Sequence, residues 1–403
     1  MDARRLDAGL RRAAFLLLAM LAPAAAALAA PGVSDGEILL GQTMPYSGPI
    51  SAYATVGRAM AAYLDKVNDE GGVNGRKIRL VSLDDGYSPP KTVEQTRKLV
   101  EEQQVFFLFG SLGTAPQSAV QKYLNANNVP QLFIQSGARK WNDPRHFPWS
   151  MAGLPSSYAE ARAYAKYLLA ADPQARIAVL YQNDDFGKDY LAGLQDGLGD
   201  KAARMIVATQ SFEVTDPTVD SQIASLAGSG ADTFFSFSVG KATVQAIRKV
   251  GDIGWHPLFF ITAVSQSKAT VLAPAGLDRA AGIISAAFEK DPSDPQWAED
   301  ADVRAFRDWM KRYYPAGDDG ELLNVAGNIE AQLVVEVLRR CGEDLSRENV
   351  LRQATHLDHL ALPLLLPGIA ISTTPEDYRV IRAFRLQRFD GTRWVLFGDP
   401  IGS

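Results

Sequence analysis

The sequence predicts an α/β protein of two lobes, each built on a doubly wound parallel sheet. Three observations predict it. Short apolar runs alternate with segments of helical spacing along most of the chain, the pattern of parallel strands joined by crossover helices. The alternation stops at 142–149, NDPRHFPW, where two prolines and aromatics read as a surface loop ahead of a crossing segment, and then restarts. The 403 residues also exceed what one typical core accommodates.

In the first lobe, residues 38–43 read as a strand and 56–67 as a helix. Gly71, Gly72 and Gly75 supply the positive φ angles of a helix end and a tight turn. A strand at 77–83, a helix at 90–100 entered through Ser88-Pro89, and strands at 106–109 and 131–134 follow. In the second lobe, strands at 176–181, 204–210, 232–237 and 258–262 alternate with helices at 190–198, 221–226 and 242–250. Longer helices at 303–314 and 326–340 lead to a β-rich tail. There 379–389 alternates, Asp390-Gly391 is a hairpin turn, and 394–397 closes the pair.

Residues 1–30 have the three zones of a signal peptide. Arg4, Arg5, Arg11 and Arg12 form the positive region, 13–21 the apolar region, and 24–30 the small-residue cleavage region. The apolar core is too short for a stable membrane span, and no later segment is apolar and long enough to cross a bilayer. The single cysteine, Cys341, forms no internal disulfide and reads as a small core residue. No cysteine near the cleavage region could carry a lipid anchor. An exported, large, cysteine-poor chain points to a bacterial periplasm.

Several chemistries are excluded. A net charge of −5 without a basic run argues against nucleic acid. No G-x-G-x-x-G follows the first strand, and neither a phosphate-binding P-loop nor a nucleophile elbow occurs. His356 and His359 would share a helix face, but no acid or thiol stands at metal spacing. Asp84 and Asp85 are adjacent on a strand, so they point to opposite sides and cannot act as a catalytic pair. No enzyme, metal or cofactor is expected.

What remains is a set of small, hydroxyl and aromatic residues where strands turn into helices. In 106–117, FFLFGSLGTAPQ, a buried strand ends in Gly110, Ser111 and Gly113, and Thr114 then opens a helix with Pro116 in its first turn. A helix N-terminus at the carboxyl end of a parallel strand suits an anion. The arrangement repeats one unit later at 134–138, through Ser136, Gly137 and Ala138. Tyr53, Tyr87, Phe186 and Ser238 stand at equivalent turns. Two lobes facing each other there would enclose a cleft for a small carboxylate.

At these residues the chain resembles the periplasmic leucine/isoleucine/valine-binding protein family. The matching stretches are ILLGQTMPYSGPISAY, NDEGGVNGRKIRLVSLDDGYSPPKTVEQTRKLV, FGSLGTAPQSAV and RIAVLYQNDDFGKDYLAGLQDGL, and the likeness extends over nearly all of 33–400. The resemblance implies the type I periplasmic binding fold, two Rossmann-like lobes joined by a three-segment hinge. Lobe one would hold 33–153 and 284–366, and lobe two 154–283 and 367–403, with crossings near Gly153, Gly282 and Gly368. The family's carboxylate contacts fall on Thr114 and on Gly137, Ala138 and Arg139. Its cleft aromatics fall on Tyr53 and Phe186.

Three departures follow from the same comparison. Ala263 stands where several relatives carry an acid that pairs with the ligand ammonium. Arg139 stands where amino-acid binders carry Ser or Thr, and could clamp a carboxylate through two donors. Tyr87 and Gly113 replace the disulfide cysteines of some relatives. Together with Tyr87 and Phe186 as planar surfaces, these changes predict a carboxylate with no obligatory α-ammonium. The expected function is the monomeric, periplasmic solute-binding component of an ABC importer, working with a membrane permease by hinge closure. A ligand sensor without transport is the alternative that the same fold allows.

Overall fold

Five strands run parallel in the first sheet: β1 (Glu37–Met44), β2 (Lys77–Asp84), β3 (Phe107–Phe109), β4 (Gln131–Ile134) and β5 (Ser150–Ala152), in the spatial order β2-β1-β3-β4-β5. The computed structural model describes residues 30–402. Except for Ala30, the signal peptide read from the sequence lies outside them. The second sheet contains β6 (Ile177–Gln182), β7 (Ile206–Phe212), β8 (Thr233–Phe237), β9 (Leu258–Ile261), β10 (Ile284–Ala287), β11 (Ala383–Phe389) and β12 (Trp394–Gly402). Its order is β12-β11-β10-β9-β8-β6-β7. Strands β6 to β10 pair in parallel, while the β11–β12 hairpin adds an antiparallel edge.

The central strands are buried on both faces, which is why their sequences are continuously apolar. Phe107, Leu108 and Phe109 are buried in the first sheet. In the second, Phe235 on β8 stacks on Phe260 of β9 with ring centroids 4.4 Å apart. Cys341 is buried at the end of the helix Leu322–Cys341, where burial pushes its thiol up to about 12.

Several expectations change. The strand expected from 204 begins at Ile206, because Ala202–Met205 is a helical turn. Two short strands, β5 and β10, and the helix Ser157–Ala171 are additions. The helix Arg347–Ala354 ends before His356, and His359 has φ +46°, so these histidines share no helix face. Strand β10 pairs with β9 and β11, so residues 284–287 belong to the second sheet, and the second crossing follows Ala287 and does not lie near Gly282. That crossing is not a single thread. Lys290 N–H donates to Leu364 and Leu366 N–H donates to Phe288, making a two-chain ribbon with the returning segment. Asp84 and Asp85 hold turns: Asp84 accepts from Ser47 and Gly86 N–H, and Asp85 from Tyr87 N–H and the Thr92 hydroxyl.

Candidate functional site

The carboxyl ends of both sheets face one cleft, as expected where open parallel sheets change strand direction. Its wall is mostly apolar, including Ile50, Val56, Leu112, Val239, Phe288 and Leu322. Among the described residues, no Lys, Arg or His lines it. It encloses about 80 Å³, against on the order of 10–15 Å³ for one water, so it suits a small guest.

Tyr53, Tyr87, Thr114, Ser136, Gly137, Phe186 and Ala263 line this cleft. Tyr53 comes from the turn Ser51–Ala54 ahead of the helix Thr55–Asp69. Its hydroxyl crosses to the other lobe, donating to the Val264 carbonyl at 2.9 Å and accepting from Gly240 N–H at 3.3 Å. Burial pushes that hydroxyl up to about 12. Phe186, in the first turn of the helix Asp185–Leu198, meets Tyr190 edge to face with centroids 5.1 Å apart.

Tyr87 and Gly113, where the resemblance puts the cysteines of some relatives, meet in space. A Cβ on Gly113 would lie 2.5 Å from Tyr87 Cε2, and Gly113 has φ +106°. The large ring at one position occupies the space that the small residue leaves at the other. Gly137 is constrained similarly, since a Cβ there would lie 2.1 Å from the Pro155 carbonyl.

Thr114 and Ser136 form the polar part of the lobe-one wall, their hydroxyls 2.6 Å apart. Ser136 Oγ accepts from Trp141 Nε1 at 2.8 Å and from Ala138 N–H at 3.3 Å. A hydroxyl has two acceptor sites and one proton, so the Ser136 proton goes to Thr114 Oγ1. The Thr114 proton is then free to donate into the cleft, at the first residue of the helix Thr114–Ala126.

Four expected contacts lie elsewhere. Ser111 Oγ accepts from Thr43 N–H at 3.1 Å and ties β1 to the turn after β3. Ser238 is buried in a hydroxyl network, 2.7 Å from Ser236 Oγ and 2.8 Å from Thr243 Oγ1. Ala138 faces a separate groove and reaches the site only through its backbone. Arg139 is no ligand clamp. It pairs with Asp189 of the other lobe and lies over the Tyr158 ring, 4.1 Å from its centroid.

The residues that the sequence reading missed are acidic. Glu160, on the buried face of Ser157–Ala171, lines the cleft beside Ala263. Its Oε1 accepts from Ala263 N–H at 2.8 Å and lies 2.7 Å from the Tyr164 hydroxyl, and its Oε2 accepts from Tyr190 at 2.8 Å. Burial outweighs these donors and pushes its carboxyl up to about 7. An acid thus stands next to the alanine that seemed to mark its loss. The signal was legible: Ser157, Glu160, Tyr164 and Leu168 share one face at helical spacing. Glu289 also lines the cleft, just beyond β10, and burial with the negative charges of Asp291 and Glu321 pushes it up to about 8. With Arg139 elsewhere and two acids present, neither premise for a carboxylate without an α-ammonium stands.

The profile of the periplasmic binding protein family matches residues 37–393. The chain belongs to that family. Leu/Ile/Val-binding protein homolog 7 of Brucella abortus (strain 2308) is 24% identical over 263 residues, 61% of this chain and 63% of the relative, so the aligned part spans under two thirds of that protein. Homolog 1 of the same strain is 26% identical over 293 residues, 70% of this chain and 75% of the relative. Among solved structures, a branched chain amino acid ABC transporter from Thermus thermophilus with bound valine has a TM-score of 0.80 at 19% identity, covering 92% of this chain and 98% of that one. A solute binding protein from R. palustris in complex with benzoate has a TM-score of 0.75 at 18% identity, covering 91% and 98%. This periplasmic binding protein therefore has the type I fold. Among its described residues, no helix is long and apolar enough to cross a membrane, and no His, Cys, Asp and Glu cluster could hold a metal ion.

Proposed function

We propose that this chain is the periplasmic solute-binding component of an ABC importer, capturing a small, largely apolar carboxylate between its lobes and presenting the closed form to a membrane permease. The observation that carries this reading is the apolar cleft into which the Thr114 hydroxyl proton is free to donate. A carboxylate at that turn would be held by neutral donors at a helix N-terminus, with no basic side chain required. Hinge closure fits the two-chain ribbon and the polar contacts between lobes at Tyr53 and Arg139. Valine and benzoate, bound by two of the structural neighbours, are small carboxylates with apolar bodies, the kind of guest this reading expects.

The test is a thermal-shift and calorimetric screen of the exported protein against apolar amino acids, aromatic acids and aliphatic acids. A ligand at a hundred times its dissociation constant adds ~2.7 kcal/mol of stability. If none of these classes raises the melting temperature, the reading fails. Loss of uptake on deleting the gene, restored by the wild-type chain, would separate transport from sensing.

A further inference from the structure

A carboxyl group lies buried where the cleft wall meets the first crossing between the lobes. Glu330 stands on the helix Leu322–Cys341, whose first turn lines the cleft through Leu322 and Leu323. It is only 4% exposed. Its Oε2 accepts from Gln135 Nε2, and its Oε1 has no hydrogen-bond partner among the described residues. Among those residues no charged side chain offsets its burial, which alone pushes the carboxyl well above the ordinary carboxylate range. A neutral acid is the form such a site tolerates, since an unpaired buried charge is far costlier.

Its two contacts lead in different directions. Gln135 lines the cleft, and its backbone braces the turn that presents Thr114. Its N–H donates to the Ser111 carbonyl at 3.0 Å, and its carbonyl accepts from Gly113 N–H at 3.2 Å. Gly153 follows β5, where the chain leaves the first sheet for the helix Ser157–Ala171. A Cβ on Gly153 would lie 2.8 and 2.9 Å from the two Glu330 carboxyl oxygens and 2.7 Å from the Phe133 carbonyl, so a side chain there would displace the carboxyl group or the β4 backbone. Phe133 itself is buried at φ +52°, inside the register shift between β4 and β5. That conformation is costly for a bulky residue and persists only where the surroundings fix it.

We propose that Glu330 is a positioning residue that locks the Gln135 side of the cleft to the first crossing at Gly153, so that a guest seated on that wall governs how the crossing bends. The inference rests on the solute-binding reading above. Glu330 acts with its proton in place: Oε2 accepts from Gln135, and the Oε1 hydroxyl stands at Gly153 as a donor to the crossing backbone. A guest that loads the turns of Thr114 and Ser136 loads Gln135 between them, and the carboxyl group carries that load to Gly153.

The experiment uses the full exported chain with valine, benzoate and hexanoate, one probe from each solute class named above. Calorimetry reads affinity, and small-angle scattering reads the fall in radius of gyration at saturation. Glu330→Gln keeps an uncharged acceptor and donor, and is expected within about twofold of the wild type in affinity, with the same fall. Glu330→Leu leaves the Gln135 amide unpartnered, and is expected to bind roughly tenfold more weakly and to show less than about half the wild-type fall. A role confined to stability would lower the melting temperature of Glu330→Leu and leave both readings unchanged, and that result overturns the assignment. So does a loss of about tenfold in Glu330→Gln. If Glu330→Leu fails to fold, infrared spectra of the wild type at about pH 9 decide, where Glu160 and Glu289 are mostly ionised. A carboxylic-acid carbonyl stretch that Glu330→Gln lacks should be present and should shift when a probe binds. A stretch that is missing, or that binding leaves unmoved, overturns the assignment. Where a probe binds and any of these contrary results is found, solute binding stands and this inference alone falls. If no probe binds the wild type, both fall.

Discussion

Arg139 and Asp189 are joined twice across the two lobes. The backbone N–H of Arg139 donates to Asp189 Oδ2 at 2.6 Å, and its guanidinium Nε donates to Oδ1 at 2.9 Å. Lys140 and Asp185 form a second ion pair alongside, at 3.0 Å. Both basic residues follow β4, and both acids lie on the helix Asp185–Leu198. The Arg139 side chain is 50% exposed, so solvent screens the pair and its contribution is about 0–1 kcal/mol. Such a contact would bias the proposed closure without dominating it.

The two contacts make an asymmetric prediction. Arg139→Ala keeps the backbone donor, whereas Asp189→Ala loses both bonds. We expect Asp189→Ala to shift the ensemble further toward open forms, with each variant folded and ligand affinity changed less than about fivefold. Small-angle scattering at low and high salt reads the radius of gyration. An equal effect of the two variants would remove the backbone bond from the account.

Thr114→Val is expected to weaken ligand binding by ~1.5–3 kcal/mol, the range for a hydrogen bond to a charged group, and to lower stability by about 1–3 kcal/mol because the buried Ser136 hydroxyl loses its acceptor, with the fold retained. Trp141→Phe is expected to weaken binding by less, because it frees an acceptor site on Ser136 and lets the Thr114 proton turn away from the cleft. Calorimetry on folded variants, checked by circular dichroism, distinguishes them. Unchanged affinity in Thr114→Val would move the polar end of the site elsewhere.

Gly113→Ala should destabilise the fold by about 1–3 kcal/mol, through backbone strain at φ +106° and the clash with Tyr87. Pairing it with Tyr87→Ala should recover only the steric part. Denaturant melts of the two single variants and the pair give the coupling. Fully additive effects would show that the ring and the glycine are not complementary.

Stability should fall as pH rises from about 5 to 8. Glu160 and Glu289 are raised from 4.5 to about 7 and about 8 in the folded chain, so across that window the folded state binds more protons than the unfolded state. The stabilising contribution is fully present below about pH 4.5 and is lost as pH passes through the two folded values. Glu289→Gln should flatten the slope over most of that window, with the largest change at about pH 6–7 and a smaller one as pH nears the folded value of about 8. Melting temperatures across a buffer series check this, and a slope unchanged in the variant would rule Glu289 out as its source.

Local pattern was enough for the two parallel sheets and for the cleft at their carboxyl ends. Strands such as 131–134 and 258–261 are short apolar runs between turns, and the chain carries that signal within a few residues. The placement of Tyr53, Thr114 and Phe186 on the cleft follows from the same rule, since each stands where a strand has just turned into a helix. Residues whose role depends on distant partners were not legible in this way. Arg139 points to Asp189 and not to the guest because the helix Asp185–Leu198 of the other lobe closes against it. Ser238 turns to Thr243 beneath the cleft wall. Strand β10, four residues long, becomes recognisable only through its pairing with Arg385–Arg388, about a hundred residues later. Glu160 and Glu289 meet the cleft through the packing of the helix Ser157–Ala171 and the pairing of two crossing segments. Periodicity records which face of an element is apolar. It does not record which distant group meets that face, and the charge balance of this cleft is set by such meetings.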